Sequence, residues 1–199
     1  MPRPGLREWL AVGRVLAHGD LLRSGRLQTV VRFEQELAQA TGAGQALAVS
    51  SGTAALVCAL QAAGIGPGDE VLVPAYTWMA SAGAVALVGA VPVLVEIDES
   101  LTLNPADLAA RITPRSRAVI PVHMINRPCD MDSILAVARG NRLVVIEDAA
   151  QAVGVRYRGR FCGTMGEAGV FSFNQYKNMT CGEGGAVLTS DRTLFLRAL

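Results

Sequence analysis

The sequence holds one lysine, Lys177; every other basic residue among its 18 lysines and arginines is an arginine. It has two histidines, His18 and His123, and four cysteines, Cys58, Cys129, Cys162 and Cys181, with no CxxC pair. That supply argues against zinc and leaves the cysteines as reduced thiols in core or loop packing. Charged residues make up only 18% of the chain, the formal net charge is +1, and the arginines are scattered. Nothing here makes an electrostatic case for nucleic acid or an anionic membrane. No uninterrupted apolar run reaches the ~18 residues that would span a bilayer. The Met79–Val95 region comes nearest, and Ser81, Gly83, Gly89 and Pro92 break it. The N-terminal stretch carries charges inside its apolar run and no small-residue cleavage site, so it does not read as a signal peptide. No GxGxxG is present: Gly42-Ala43-Gly44 precedes a strand and lacks the third glycine, which leaves a dinucleotide site unsupported. Repeats, low-complexity tracts and linkers are also missing. The expectation is one soluble, cytoplasmic domain.

What the chain does have is apolar material, 51% of 199 residues, enough for a large buried interior. Helices are predicted over 5–18 and 30–41, the second carrying Val30, Phe33, Leu37 and Ala40 on one face and stopping at Gly42. Beyond Gly42 the chain repeats an order of short β-rich run, turn and helix. Strands are predicted at 46–49, 70–73, 91–95, 117–122, 142–147, 169–173 and 185–189, with helices near 53–63, 78–88, 105–111 and 130–139. Asn104-Pro105 is a strong helix start, with Asn as cap and Pro at the first helical position. Strands alternating with helices of this length predict an α/β fold, a three-layer α/β/α sandwich around a mostly parallel central sheet of about seven strands. The final two strands are joined only by a glycine-rich turn, so one of them is expected to run antiparallel.

That last region, FSFNQYKNMTCGEGGAV from Phe171 to Val187, carries the sharpest chemical signal. Lys177 has no basic neighbour and stands beside a turn with Gly182, Gly184 and Gly185. A lone lysine held in place there is either a Schiff-base former, which needs a lowered pKa and a fixed position, or an ordinary loop lysine beside a hairpin. In open α/β sheets ligands bind beyond the carboxyl ends of the strands. Several other segments fall there. Ser50-Ser51-Gly52-Thr53 opens a helix, which makes either a phosphate cradle or plain N-capping by Ser51. Trp78, just past the 70–73 strand, is suited to stacking on a planar ring and equally to a core position. Asp148, after the apolar run 143–146, needs a cationic or strongly donating partner, a protonated pyridine nitrogen or an arginine.

A lysine, an aspartate, a helix end with hydroxyls and an aromatic together match the requirements of pyridoxal phosphate (PLP). SGTAAL, PAYTW, EDAAQAVG and FSFNQYKNMTCGEGGAV, in that order, resemble the DegT/DnrJ/StrS sugar aminotransferase family of fold-type I PLP enzymes. The match runs from about Gly25 to the last residue. The resemblance implies roles by position. Lys177 would carry the cofactor as a Schiff base and move the proton; Asp148 would hold the pyridine nitrogen protonated. Gln151 would hydrogen-bond the phenolic oxygen, Trp78 would stack on the ring, and Gly52, Thr53 and Ser172 would hold the phosphate. Related dehydratases of the family have histidine in place of the lysine, so Lys177 favours transamination.

The implied activity is transfer of an amino group from L-glutamate or L-glutamine to a keto group of a nucleotide-linked sugar or cyclitol. Two other readings stand beside it: a PLP-dependent sugar dehydratase, and a non-catalytic PLP-binding regulator or truncated pseudoenzyme. His123-Met124-Ile125-Asn126-Arg127-Pro128 departs from the family's pattern on the expected substrate side, so acceptor preference does not transfer. The chain ends at Leu199 within a helix expected from Asp191, leaving Leu194, Phe195 and Leu199 without an evident partner. The family's small domain, and a phosphate-binding asparagine from a neighbouring subunit, lie beyond that point. Residues 1–199 are therefore expected to be the PLP-binding large domain with an N-terminal helical segment, and activity is expected to need a longer, homodimeric chain.

Overall fold

Helix starts are set by local polar caps. The Asn104 side chain accepts from the backbone N–H of Ala106 and Asp107, Ser51 accepts from Ala54, and Asp191 accepts from Thr193 and Leu194. Each satisfies a donor that has no intrahelical acceptor. A computed structural model describes residues 5–19 and 21–199. In chain order the helices are α1 (Leu6–His18), α2 (Thr29–Thr41), α3 (Gly52–Ala62), α4 (Ala80–Leu87), α5 (Pro105–Arg111), α6 (Met131–Asn141) and α7 (Arg192–Ala198). The main strands are β1 (Gln45–Val49), β2 (Glu70–Pro74), β3 (Val91–Val95), β4 (Ser116–Val119), β5 (Val144–Asp148), β8 (Ala168–Ser172) and β9 (Gly185–Thr189). A small hairpin, β6 (Arg156–Tyr157) and β7 (Arg160–Phe161), lies between β5 and β8.

The main sheet has seven strands in the order β1-β9-β8-β5-β4-β2-β3. From β8 to β3 every pairing is parallel, while β9 runs antiparallel to both β8 and β1. The α/β expectation and the antiparallel strand after the glycine-rich turn both hold. The hairpin is an addition to the predicted elements. Its turn residues Arg158 and Gly159 have φ of 47° and 84°. Left-handed backbone at both positions suits a tight hairpin turn, but Arg-Gly does not advertise it as Asn-Gly does.

Side chains alternate between the two faces of each strand. Val71, Val73, Ile146, Val170 and Val187 join one core with Leu56, Ala59 and Leu60 of α3 and Val85 of α4. Leu72, Val119 and Val145 face the other way, into a core with Leu108 of α5 and Ile134 of α6. Leu60, Leu72, Ile120, Ile146 and Phe171 are fully buried, each contributing about 1.5–3 kcal/mol of apolar transfer. Helix α7 corrects one expectation: Leu194 is 5% exposed in the α3 core and Phe195 packs against it, while Leu199 is exposed. Among the described residues no helix is long and apolar enough to cross a membrane.

Candidate active site

The alternation along β5 decides what its last two residues can do. Ile146 faces the α3/α4 core, so Asp148 faces the same side and Glu147 the opposite one. Asp148 is 6% exposed. Its Oδ2 accepts the Ser81 hydroxyl at 2.8 Å and its Oδ1 accepts the Ala150 N–H at 3.1 Å. Burial pushes its carboxyl above the usual aspartate range, opposed by these donors and, more weakly, by His123 and Lys177. Within the chain its donors are a hydroxyl and an amide, and no arginine pairs with Asp148 among the described residues. Two carboxylate oxygens have room for more than these two donors. The result is a buried carboxyl group with acceptor capacity left over.

Glu147 is fully buried on the other face and saturated with donors. It accepts from the backbone N–H groups of Gly163, Met165 and Gly166 and lies 2.9 Å from His123 Nε2. The Cys129 N–H donates to His123 Nδ1 at 3.1 Å. With Nδ1 accepting that bond, Nε2 is the ring nitrogen placed to donate to Glu147. Burial would raise the Glu147 carboxyl; the hydrogen bonds from His123, Gly163 and Gly166 outweigh it and hold the group below its ordinary range. His123 also donates its backbone N–H to the Asp148 carbonyl at 3.0 Å, which ties the strand end that carries Asp148. Sequence reading placed His123 at a strand end and Glu147 beside Asp148 without linking them. A buried acid and a buried histidine at the ends of neighbouring strands were the available signal.

The cradle residues converge on the Asp148 face. Ser51 caps α3, and the first N–H groups of the helix, at Gly52 and Thr53, have no intrahelical acceptor. Ser172, 6% exposed, ends β8 beside them. A Cβ on Gly52 would sit 2.8 Å from the Ser172 Cβ, and a Cβ on Gly185 would lie within 2.4 Å of the Ser51 carbonyl carbon and oxygen. Gly185 is thus required for close approach. The left-handed position in the turn is Gly182 alone, with φ of 93°. Gly52, Thr53 and Ser172, expected together, lie together. Ser51 is also the N-cap, so both readings of that segment apply.

Lys177 is half-buried in the loop between β8 and β9, with its backbone N–H on the Asn174 carbonyl at 2.9 Å. The loop is closed by Asn174 Nδ2 donating to Glu183 at 2.6 Å and by Asn178 Nδ2 donating to the Val153 carbonyl at 2.7 Å. Among the described residues Lys177 has no ion pair. Trp78, at the β2–α4 turn, is 67% exposed; the core reading of it is excluded. Gln151 is less free than expected. Its Oε1 accepts the Ile125 N–H at 3.4 Å and its Nε2 reaches the Met124 sulfur at 3.4 Å. It braces a turn in which Ile125 and Asn126 both have positive φ.

Tyr76, Trp78, Met79, Ile125 and Tyr176 are exposed, so the site opens to solvent. Concavities of about 430 Å³ (Thr41, Arg156, Arg160, Ser190) and about 480 Å³ (Arg23, Glu34, Gln45) lie elsewhere and contain none of these site residues. A buried acceptor, a helix N-terminus and one ammonium near enough to act on the acceptor are groups complementary to a ligand that is cationic at one end and anionic at the other.

The chain belongs to the DegT/DnrJ/EryC1/StrS aminotransferase family, whose model matches residues 6–198. It is 51% identical over 166 residues to GDP-perosamine synthase of Caulobacter vibrioides, covering 83% of this chain and 45% of that protein. It is 44% identical over 202 residues to L-glutamine:2-deoxy-scyllo-inosose aminotransferase of Micromonospora echinospora, covering 99% of this chain and 48% of the relative. An aminotransferase from Psychrobacter cryohalolentis superposes with a TM-score of 0.96 at 41% identity, over 99% of this chain and 50% of that one. The Bacillus subtilis protein ntda, solved with its cofactor PMP bound, superposes with a TM-score of 0.88 at 33% identity, over 96% of this chain and 42% of that one. The chain spans about half the length of the curated relatives it matches.

Proposed function

We propose that residues 1–199 form the cofactor-binding large domain of a PLP-dependent aminotransferase. It would act as a homodimer and move an amino group from L-glutamate or L-glutamine to a keto group of a nucleotide-linked sugar or cyclitol. The observation that carries the reading is Asp148: a buried carboxylate with unfilled acceptor capacity, on one sheet face with the open N-terminus of α3 and in the field of the chain's only lysine. The donor set suits PLP at each end. Asp148 would receive the pyridine N–H. The N–H groups of Gly52 and Thr53, with the Ser172 hydroxyl, would hold the phosphate, and the exposed Trp78 indole is available to the ring face. The names of the relatives support the substrate class, one making a GDP-linked amino sugar and another using L-glutamine and a cyclitol ketone.

When bound, PLP would supply an aldehyde that condenses with an amine and a ring that draws electrons from the substrate carbon. The chain's own residues do the rest. Asp148 would hold its charge against the ring nitrogen from a buried position, where the attraction is stronger than in water. The Lys177 amine, the chain's only side-chain amine, would take a proton from the substrate carbon and return it elsewhere. Gln151 and the 124–126 turn border the same side and would shape the acceptor pocket.

The test is borohydride reduction of the PLP-treated protein and then peptide mapping. A stable cofactor mass on the peptide containing Lys177 is expected. Cofactor recovered entirely unattached, with the protein folded, would overturn the assignment.

A further inference from the structure

We propose that Thr77 and Ser81 form a directed hydroxyl relay that orients the Asp148 carboxylate and holds it in its charged form for a cationic ring nitrogen. The inference deepens the reading of the chain as a PLP enzyme and rests on it for the identity of that nitrogen. Thr77 stands in PAYTW beside Trp78 and Ser81 lies just past it, and neither hydroxyl has a role in the site described above.

Ser81 lies in the first turn of α4 and is fully buried, which is unusual for a serine. Its Oγ is 2.8 Å from Asp148 Oδ2 and 2.9 Å from Thr77 Oγ1. A hydroxyl carries one proton. Because an ionised carboxylate only accepts, the Ser81 proton goes to Asp148, and the proton between the two hydroxyls must come from Thr77. The relay therefore runs Thr77 to Ser81 to Asp148, with both dipoles aimed at the carboxylate. Were Asp148 to take a proton on Oδ2, Ser81 would lose its acceptor and both hydroxyls would have to turn. The arrangement thus favours the carboxylate over the carboxylic acid.

That bias has something to oppose. Burial drives the Asp148 carboxyl upward, and a neutral acid could not attract a pyridinium. The other charged and titratable groups near it are few. Lys177, from the loop after β8, favours the carboxylate. His123, past the end of the neighbouring strand, has both ring nitrogens engaged and also favours the carboxylate, and Glu147 points to the other sheet face. The Ala150 N–H holds Oδ1. Ser81 and Thr77 are the only side-chain hydroxyls in this chain of contacts, and the same turn fixes Trp78, whose carbonyl accepts the Ser81 N–H at 3.1 Å. The Ser81 backbone bond survives a side-chain change, so the relay can be removed without releasing the indole. Thr77 and Ser81 are positioning residues; neither is placed to touch the ligand through the contacts described.

The experiment is a carbon-13 NMR titration of the Asp148 carboxyl in the protein without cofactor, in parallel with PLP affinity. In Ser81→Ala the apparent pKa is expected to rise by about one unit and PLP affinity to fall roughly tenfold, the loss of one hydrogen bond to a charged group. Ser81→Thr, which keeps the hydroxyl, is expected to restore both. Thr77→Val, isosteric with threonine, is expected to shift the titration in the same direction by less, and it carries the test should Ser81→Ala fail to fold. An Asp148 titration unchanged in the folded Ser81→Ala or Thr77→Val protein would overturn the relay, even with Lys177 still labelled by borohydride. Loss of that labelling in the parent, with the titration behaving as expected, would instead overturn the functional reading alone.

Discussion

Glu147 and Asp148 are adjacent in β5, yet their carboxyls face opposite sides of the sheet and are displaced in opposite directions. Glu147 meets backbone N–H groups and the His123 Nε2–H, and its charge is satisfied. Asp148 meets fewer donors in equally buried surroundings, and its charge is not. Two acids pushed apart by environment usually have two roles. Here one closes the fold, and the other is the group proposed above to meet the ring nitrogen. Adjacent residues can be treated so differently because a strand turns each successive side chain to the opposite layer.

Glu147→Gln should destabilise the protein by about 3 kcal/mol, since the amide presents N–H groups where backbone N–H groups already point. The acid limb should change too. Glu147 titrates below its unfolded value of about 4.3, so its contribution is fully present above that pH and is lost as pH falls through the lower folded value. Urea denaturation between pH 3 and 7 checks this on the order of those values: the parent should lose stability on acidification, and Glu147→Gln should lose less, having less to lose.

For Asp148 the sign reverses. Its folded pKa lies above the unfolded ~3.9, so the folded ligand-free chain binds the proton more tightly. Stability from this group falls as pH rises from the unfolded value through the folded one. Asp148→Asn removes that loss and should be at least as stable as the parent at neutral pH, while amino transfer drops by orders of magnitude. Denaturation and an assay with glutamate or glutamine and a keto-sugar read the two effects separately. Near-parental turnover in the variant would make Asp148 merely structural.

The elements with regular signals were legible from sequence: β2, β5 and β8 as apolar runs, α5 from Asn104-Pro105, and the reversal at β9 from a connection too short for a crossover. Lys177, Asp148, Gly52, Thr53 and Ser172 were located by their positions at or just beyond the carboxyl ends of strands. The contacts that stayed hidden join distant segments. Ser81 reads as a helix residue among small neighbours, and only the packing of α4 on β5 brings it to Asp148. The His123–Glu147 pair is separated by helix α6, and the exposure of Trp78 is set by the turn that carries it. Leu194 and Phe195 had no evident partner in sequence because α7 packs on α3, which lies far back in the chain.

Two glycines of the loop should separate strain from crowding. Gly182→Ala places a side chain at φ of 93° in open space, a backbone cost of about 1–2 kcal/mol with no direct intrusion on the cradle. Gly185→Ala drives a Cβ to within 2.4 Å of the Ser51 carbonyl and 2.8 Å of the Gly52 nitrogen. It should push the start of α3 away from β9 and lower affinity for PLP, and for inorganic phosphate, by tenfold or more, beyond any change in melting temperature. Equal phosphate and PLP affinity in Gly185→Ala and parent would show that the cradle is not where the anion binds.

Lys177→Arg is the most direct test of the lone lysine, because it keeps the charge and removes the nucleophile. An arginine stays protonated at any accessible pH, and its guanidinium cannot be poised as an amine can. The loop should survive the change. Its closure is made by Asn174 with Glu183, by Asn178 with the Val153 carbonyl, and by the Lys177 backbone, none of which uses the Lys177 side chain. Retaining a cation also keeps the field that favours an ionised Asp148, so the Asp148 titration should move little. Covalent cofactor after borohydride should disappear, since no other side-chain amine exists in the sequence. Non-covalent PLP should remain detectable by dialysis, held through Asp148 and the α3 cradle. In the homodimeric enzyme that contains this domain, amino transfer should fall by at least about 10³-fold, the upper part of the range for losing a positioned acid–base group together with its covalent role. A Lys177→Arg protein that still transfers nitrogen at the parental rate would place the nucleophile outside these residues.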